Sequence, residues 1–103
     1  VAVPDGADDT VFAGSFNGFV YRFTPAGKLL SFTAIPGNVT KLLPLADGAV
    51  LAGSSEGYLC RIDRNGAITG SVKFSGSISD LKINKKSTIV TTSRGEIAKV
   101  DVD

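Results

Sequence analysis

Short apolar runs separated by glycine turns organise the chain, and their periods are those of strands. Ala49 to Ser54 is an unbroken run of small apolar residues, which predicts a strand buried on both faces, and Val11-Phe12-Ala13 and Ile89-Val90 read the same way. Tyr58 to Asp63 alternates, with Tyr58, Cys60 and Ile62 on one face and Leu59, Arg61 and Asp63 on the other. Asn38 to Ala46 alternates loosely and sets Val39, Leu42 and Pro44 on one side. Ala67 to Phe74 is more polar and is expected outermost. Pro25-Ala26-Gly27, Asp47-Gly48 and Arg64-Asn65-Gly66 fall at the junctions, where tight hairpins need a residue with positive φ. Apolar residues nowhere recur at helical spacing over a helical length, so the chain is expected to be all-β with almost no helix.

The pattern repeats. Val11 to Phe23 (VFAGSFNGFVYRF) recurs as Val50 to Ile62 (VLAGSSEGYLCRI) at an offset of 39 residues. A third copy starts at Ile89 with the same offset, which falls to 38 at Gly95 as if one residue were deleted beside the glycine. A period near 40 built from short strands is the mark of propeller blades. The expected architecture is therefore antiparallel four-stranded blades of a β-propeller, about three of them: blade one over 1–35, blade two over 38–74 and blade three over 77–103. With each blade's strands lettered a to d, blade one has a partial a (Val1 to Pro4), then b, c and d (Leu29 to Ile35). Blade two is complete, and blade three has a (Ile78 to Asn84), b (Ser87 to Ser93) and c (Glu96 to Val102) without an outer strand. A closed ring needs about four to eight blades. Either copies associate, or further propeller blades come from elsewhere; a start inside strand a without Met and an end at strand c favour a fragment from the C-terminal part of a larger ring.

Composition narrows the function more than it names it. Eleven Lys and Arg against ten Asp and Glu give a net charge of +1, too balanced for a nucleic-acid or membrane surface. No apolar run approaches the roughly 18 residues of a membrane span, and no signal peptide is seen, so a soluble protein is expected, with the compartment left open and an intracellular one favoured. The single Cys60 lies on the apolar side of its strand and reads as a small buried hydrophobe.

Val39-Thr40-Lys41-Leu42 with Ala49 through Asp63, and Ile78-Ser79-Asp80-Leu81 through Asp101, resemble WD-repeat blades over nearly the whole chain. The family's Trp is replaced by Ile62 and Val100, and the chain has neither its Gly-His pair nor any His. The Ala-Gly-Ser…Gly-Tyr-Leu rhythm is similar also to quinoprotein-type propeller repeats. Either resemblance implies a propeller, and the WD-repeat one implies a scaffold for protein–protein interaction.

Candidate sites follow from this layout. The b–c loops share one face with the d–a loops, bringing Ser15-Phe16-Asn17, Ser54-Ser55-Glu56 and Ser93-Arg94 onto one rim, with Asn38 and Ser77 nearby. Phe16, Asn17, Glu56 and Arg94 are the candidate partner-binding residues, because an aromatic beside Arg suits an interaction hot spot. The bland alternative is that Phe16 folds back over its hairpin and the serines cap turns. Arg22, Arg61 and Lys99 occupy equivalent strand-c positions, readable as a phosphate-binding stripe or as ordinary charged-out positions offset by Asp63 and Asp101. Lys82, Lys85 and Lys86 surround the last a–b hairpin and lack the interleaved aromatics of a nucleic-acid surface. Asp63-Arg64-Asn65-Gly66 and Asp5-Gly6-Ala7-Asp8-Asp9 have a flavour of calcium loops but complete no ligand set, so no metal is expected. Asn38-Val39-Thr40 is a glycosylation sequon that matters only in a secreted protein. Ile97 and Val100, on an open strand edge, are the candidate edge-association residues.

No catalytic constellation is present: no His, no Cys pair, no nucleophile elbow and no phosphate-cradling loop, and Glu56 is the acidic residue read into the rim loops. The expected function is a non-catalytic propeller scaffold with a protein partner, without cofactor, nucleic acid or membrane, acting as an oligomer or within a larger propeller. The alternative is a small-ligand-binding or quinoprotein-type propeller fragment.

Overall fold

A computed structural model describes residues 2–4, 10–84 and 87–101. Asp5 to Asp9, Lys85, Lys86, Val1 and Val102, which entered the expectations above, lie outside the described residues. Eleven strands run in chain order: β1 (Ala2–Pro4), β2 (Val11–Gly14), β3 (Phe19–Phe23), β4 (Leu29–Ala34), β5 (Val39–Pro44), β6 (Val50–Ser54), β7 (Tyr58–Ile62), β8 (Ile68–Lys73), β9 (Ile78–Asn84), β10 (Ser87–Thr92) and β11 (Ile97–Asp101). They form antiparallel meanders, β1-β2-β3-β4, β5-β6-β7-β8 and a three-stranded β9-β10-β11, and none of the described residues is helical. These are the blades the repeat predicts.

Blades pack face to face through two cores. Phe12 and Val20 of blade one meet Val50, Ala52, Cys60 and Ile62 of blade two, with Val39 and Leu42 closing the inner end. On its other face blade two presents Leu51 and Leu59 to Ile78, Leu81 and Val90 of blade three. Blade two is thus covered on both sides, and every residue of β6 is buried, as an unbroken apolar strand requires. Close approach is needed at the inner strands. A Cβ on Gly53 would lie 2.5 Å from an Ile78 methyl, and one on Gly14 would lie 2.3 Å from a Val39 methyl, so a side chain at either place would push the blades apart. Thr40 Oγ1 adds a polar tie, 2.8 Å from the Ile78 carbonyl oxygen, so the sequon's hydroxyl is engaged between blades.

Two expectations about the end blades are corrected. The outer b strands are not buried on both faces. β10 alternates half-buried and buried, and in β2 only Phe12 is buried, because each has a neighbouring blade on one side alone. The third copy is also displaced by one residue from the sequence alignment. Leu51 pairs with Arg61 in blade two, whereas Ile89 pairs with Lys99 in blade three, so Ile89 matches Leu51 and Thr88 matches Val50. Leu42 pairs with Ala52 and Leu81 with Val90, a connection one residue shorter. The deletion therefore falls in the a–b connection and not beside Gly95. Since side chains alternate with period 2, the shift exchanges the two faces of β10: Thr88 and Val90, both at 0% exposure, turn toward blade two, and Ile89 turns away.

Candidate functional site

The rim is built from three b–c turns of one design. Gly18, Gly57 and Gly95 close them at φ of 83°, 87° and 80°, each donating its N–H to the carbonyl of Ser15, Ser54 or Thr92. Gly18 is required twice over, because a Cβ there would also lie 2.5 Å from the carbonyl oxygens of Ile35 and Gly37. The d–a loops are laced to these turns. Asn38 donates its N–H to Ser55 Oγ (2.9 Å) and accepts from the Ser55 N–H (2.8 Å); Ser77 and Ser93 repeat the exchange at 3.1 and 2.9 Å. The serines thus do cap turns, as the bland reading has it.

Phe16 does not fold back. It stands where Ser55 and Ser93 make those bonds, and it is 87% exposed at the tip of a hydrogen-bonded turn. Asn17, Glu56 and Arg94 occupy one equivalent position on successive turns, and all three are exposed. Asn17 Oδ1 accepts from Ser15 Oγ; the Glu56 side chain lies against Gly37 and that of Arg94 against Gly76. No ion pair joins Glu56 to Arg94 among the described residues, so the structure sets the four candidates on one rim without knitting them into one cluster.

Glu96 is a rim residue that sequence reading missed. β11 begins at Ile97, leaving Glu96 at the turn, where Oε1 accepts from Ser75 Oγ (2.8 Å), the Gly76 N–H (3.0 Å) and Thr92 Oγ1 (3.0 Å). The Ser75 hydroxyl, then Thr92 and the loop amides, hold its carboxyl below the usual glutamate range. Glu56 is therefore not the only acidic group at this rim. The signal was the serine- and glycine-rich loop Ser75-Gly76-Ser77, which offers donors that a carboxylate can collect.

The strand-c cations form no stripe. Arg22 is buried, with Nε 3.1 Å from Thr10 Oγ1, Nη1 3.1 Å from the Arg64 carbonyl oxygen, and its guanidinium over the Phe12 ring at 5.8 Å. Arg61 is paired with Asp47 and bonds Thr69 Oγ1, while Lys99 is exposed. Asp63 makes no ion pair with Arg61 among the described residues: its Oδ1 accepts the Asn65 and Ala67 N–H groups at 2.9 Å each, a turn-forming role. Cys60 is buried, which raises its thiol pKa. Of the edge pair, Ile97 is 75% exposed, but Val100 is half-buried against the second core, because strand alternation points it at blade two.

Blade one carries a further surface. Phe19, Tyr21 and Phe23 stack along its open face at 6.0 Å between successive rings, and Phe32 joins Phe19 at 6.1 Å. Their repeat counterparts are Tyr58, Cys60, Ile62 and Ser71, the first three of which pack into the first core.

The sequence matches no protein-family model and no curated protein. In structure the chain is similar to the computationally designed Ika4 protein, with a TM-score of 0.80 and 17% identity over 93% of this chain and 62% of that one. It is similar to BamB from Moraxella catarrhalis (TM-score 0.75, 17% identity, 95% of this chain and 30% of that one). A third likeness is to the WD40 domain of Neurospora crassa Pan2 (TM-score 0.74, 15% identity, all of this chain and 38% of that one). The fold is that of β-propeller blades, resembling WD-repeat blades among others. The chain spans less than two thirds of the length of each of these structures.

Proposed function

We propose that this chain is a non-catalytic β-propeller scaffold for protein–protein interaction that works within a larger propeller or assembly. The observation that carries the reading is the aromatic face of blade one. Phe19, Tyr21 and Phe23 occupy the positions that blade two uses to pack on its neighbour, the 61% exposed Phe32 lies beside Phe19, and an apolar patch of this kind marks an interface. The rim supplies the partner contact. Phe16 is an exposed aromatic on a turn held by hydrogen bonds, and Glu56 and Arg94 stand exposed on the next two turns of the same rim, residue types enriched where binding surfaces form.

Sedimentation velocity of the isolated chain and of Phe32→Ser tests the assembly half. The substitution installs the residue that blade two has at this position, so the fold is kept. The chain should self-associate at micromolar concentration and the variant less so; a wild-type chain that stays a monomer would overturn this half. For the rim, alanine at Phe16, Glu56 and Arg94 together should weaken capture of a native partner without changing sedimentation, and unchanged capture would discard it.

A further inference from the structure

Blade one carries an open sheet edge on the outer circumference of the fold. β4 is the last strand of the order β1-β2-β3-β4, and among the described residues no strand pairs with its far side. A neighbouring blade would pack on a face of blade one and leave this edge in solvent, so its exposure is independent of how many blades complete the ring. Propellers keep such outer edges short and protected. β8, the outer strand of blade two, follows that rule: Gly70 weakens it and Lys73 sets a charge on it. β4 does not. Leu29 to Ala34 reads LLSFTA, without a charge, a proline or a glycine, and Leu29, Leu30 and Phe32 are exposed. Ala34 stands where β8 has Lys73, and Ser31 where it has Gly70.

The backbone shows which groups this edge offers. Ile35 donates its N–H to the Gly18 carbonyl (2.8 Å), so its main-chain groups point at β3. Main-chain groups alternate sides along an antiparallel strand, which turns those of Thr33 inward and those of Phe32 and Ala34 outward. A register shift between Arg22 and Phe23 ends the regular edge at Ser31. We infer that this edge joins two copies of the chain, β4 against β4, antiparallel about a two-fold axis through Thr33. In that register Phe32 of each copy faces Ala34 of the other, and the two pairs exchange N–H···O bonds that use every outward group of the regular edge. The occupant is a second copy because the strand is complementary to itself. The axis sets its donors against its own acceptors, no charge meets a like charge, and each Phe32 ring covers the small side chain of an Ala34. The contact is isologous and consumes both edges, so association through it stops at the dimer. The inference rests on neither the rim nor the aromatic face.

Sedimentation velocity of the full chain, carried to high micromolar concentration because so short an edge makes a small interface, should show a monomer–dimer equilibrium. Amide exchange followed by NMR at low and high concentration locates the contact. The N–H groups of Phe32 and Ala34 should slow as the dimer fills, and those of Ser71 and Lys73, which Phe74 N–H bonding to Gly57 turns outward on β8, should not. Ala34→Pro removes one outward N–H and no bond within the blade, a change that edge strands tolerate; it should weaken dimerisation at least about tenfold. Ala34→Lys installs the residue that blade two has there, so the fold is kept, and it should act in the same direction by setting two lysines diagonally across the pair. A chain that stays monomeric, exchange at Phe32 and Ala34 that ignores concentration, or undiminished dimerisation of both variants would overturn the inference. Assembly beyond the dimer that both variants leave intact would overturn edge pairing while preserving the aromatic-face reading.

Discussion

Replacing Thr88 by valine should stabilise the protein. Thr88 is at 0% exposure, its Oγ1 is buried without a hydrogen-bond partner among the described residues, and by register it holds the place of Val50 in blade two. Valine has the same shape and the same β-branched rotamer preference, so neither a cavity nor overpacking enters. What remains is the desolvation of a hydroxyl that gains nothing in exchange, worth about 1 to 3 kcal/mol. A gain of about 1 kcal/mol raises Tm by roughly 4 °C or more in a chain of this size. Urea denaturation followed by circular dichroism would show a higher midpoint at unchanged slope. Thr92→Val, on the same face of the same strand, provides the contrast. Its hydroxyl donates to Glu96 Oε1 (3.0 Å) and accepts the Arg94 and Glu96 N–H groups (3.3 Å each), so this substitution should cost about 1 to 2 kcal/mol. A loss of stability in Thr88→Val would refute the reasoning, because it would mean that the hydroxyl is satisfied in solution and that polarity at this position is an asset.

Leu59→Ala should cost about 2 to 5 kcal/mol, and toward the lower figure because Leu59, though 2% exposed, borders a cleft between blades two and three where water can refill part of the lost volume; in chemical denaturation, a loss below about 1 kcal/mol would place Leu59 outside the packed interface. Glu96 should make stability depend on acid. Its carboxyl is depressed in the folded state, so its contribution is whole above the unfolded value of about 4.3 and is lost as pH falls through the folded value. Glu96→Gln should flatten the fall in Tm between about pH 5 and pH 3, whereas an unchanged slope would assign the acid sensitivity to other carboxylates.

The strand order and the turns were legible in the chain because both are set locally. An apolar run or an alternation declares which faces a strand buries, and a glycine at positive φ declares a hairpin. The predicted Ile78 to Asn84 strand has the observed bounds of β9, and Gly27, Gly48 and Gly66 sit in the turns expected of them at φ of 91°, 86° and 89°. Neighbours decided the rest. Arg22 and Arg61 hold the same place in the repeat, yet Arg22 is buried because the blade-two turn closes over it, while Arg61 faces a cleft and turns to Asp47. The one-residue slip in β10 was hidden for a related reason: Ile89-Val90 and Thr88-Ile89 both align acceptably with Val50-Leu51, and only pairing with β9 and β11 selects between them. Sequence alone determined where this chain turns and how often it repeats. The stacking of one blade on the next decided which side chains are interior, since burial in a propeller is a property of the interface between repeats and not of any repeat by itself.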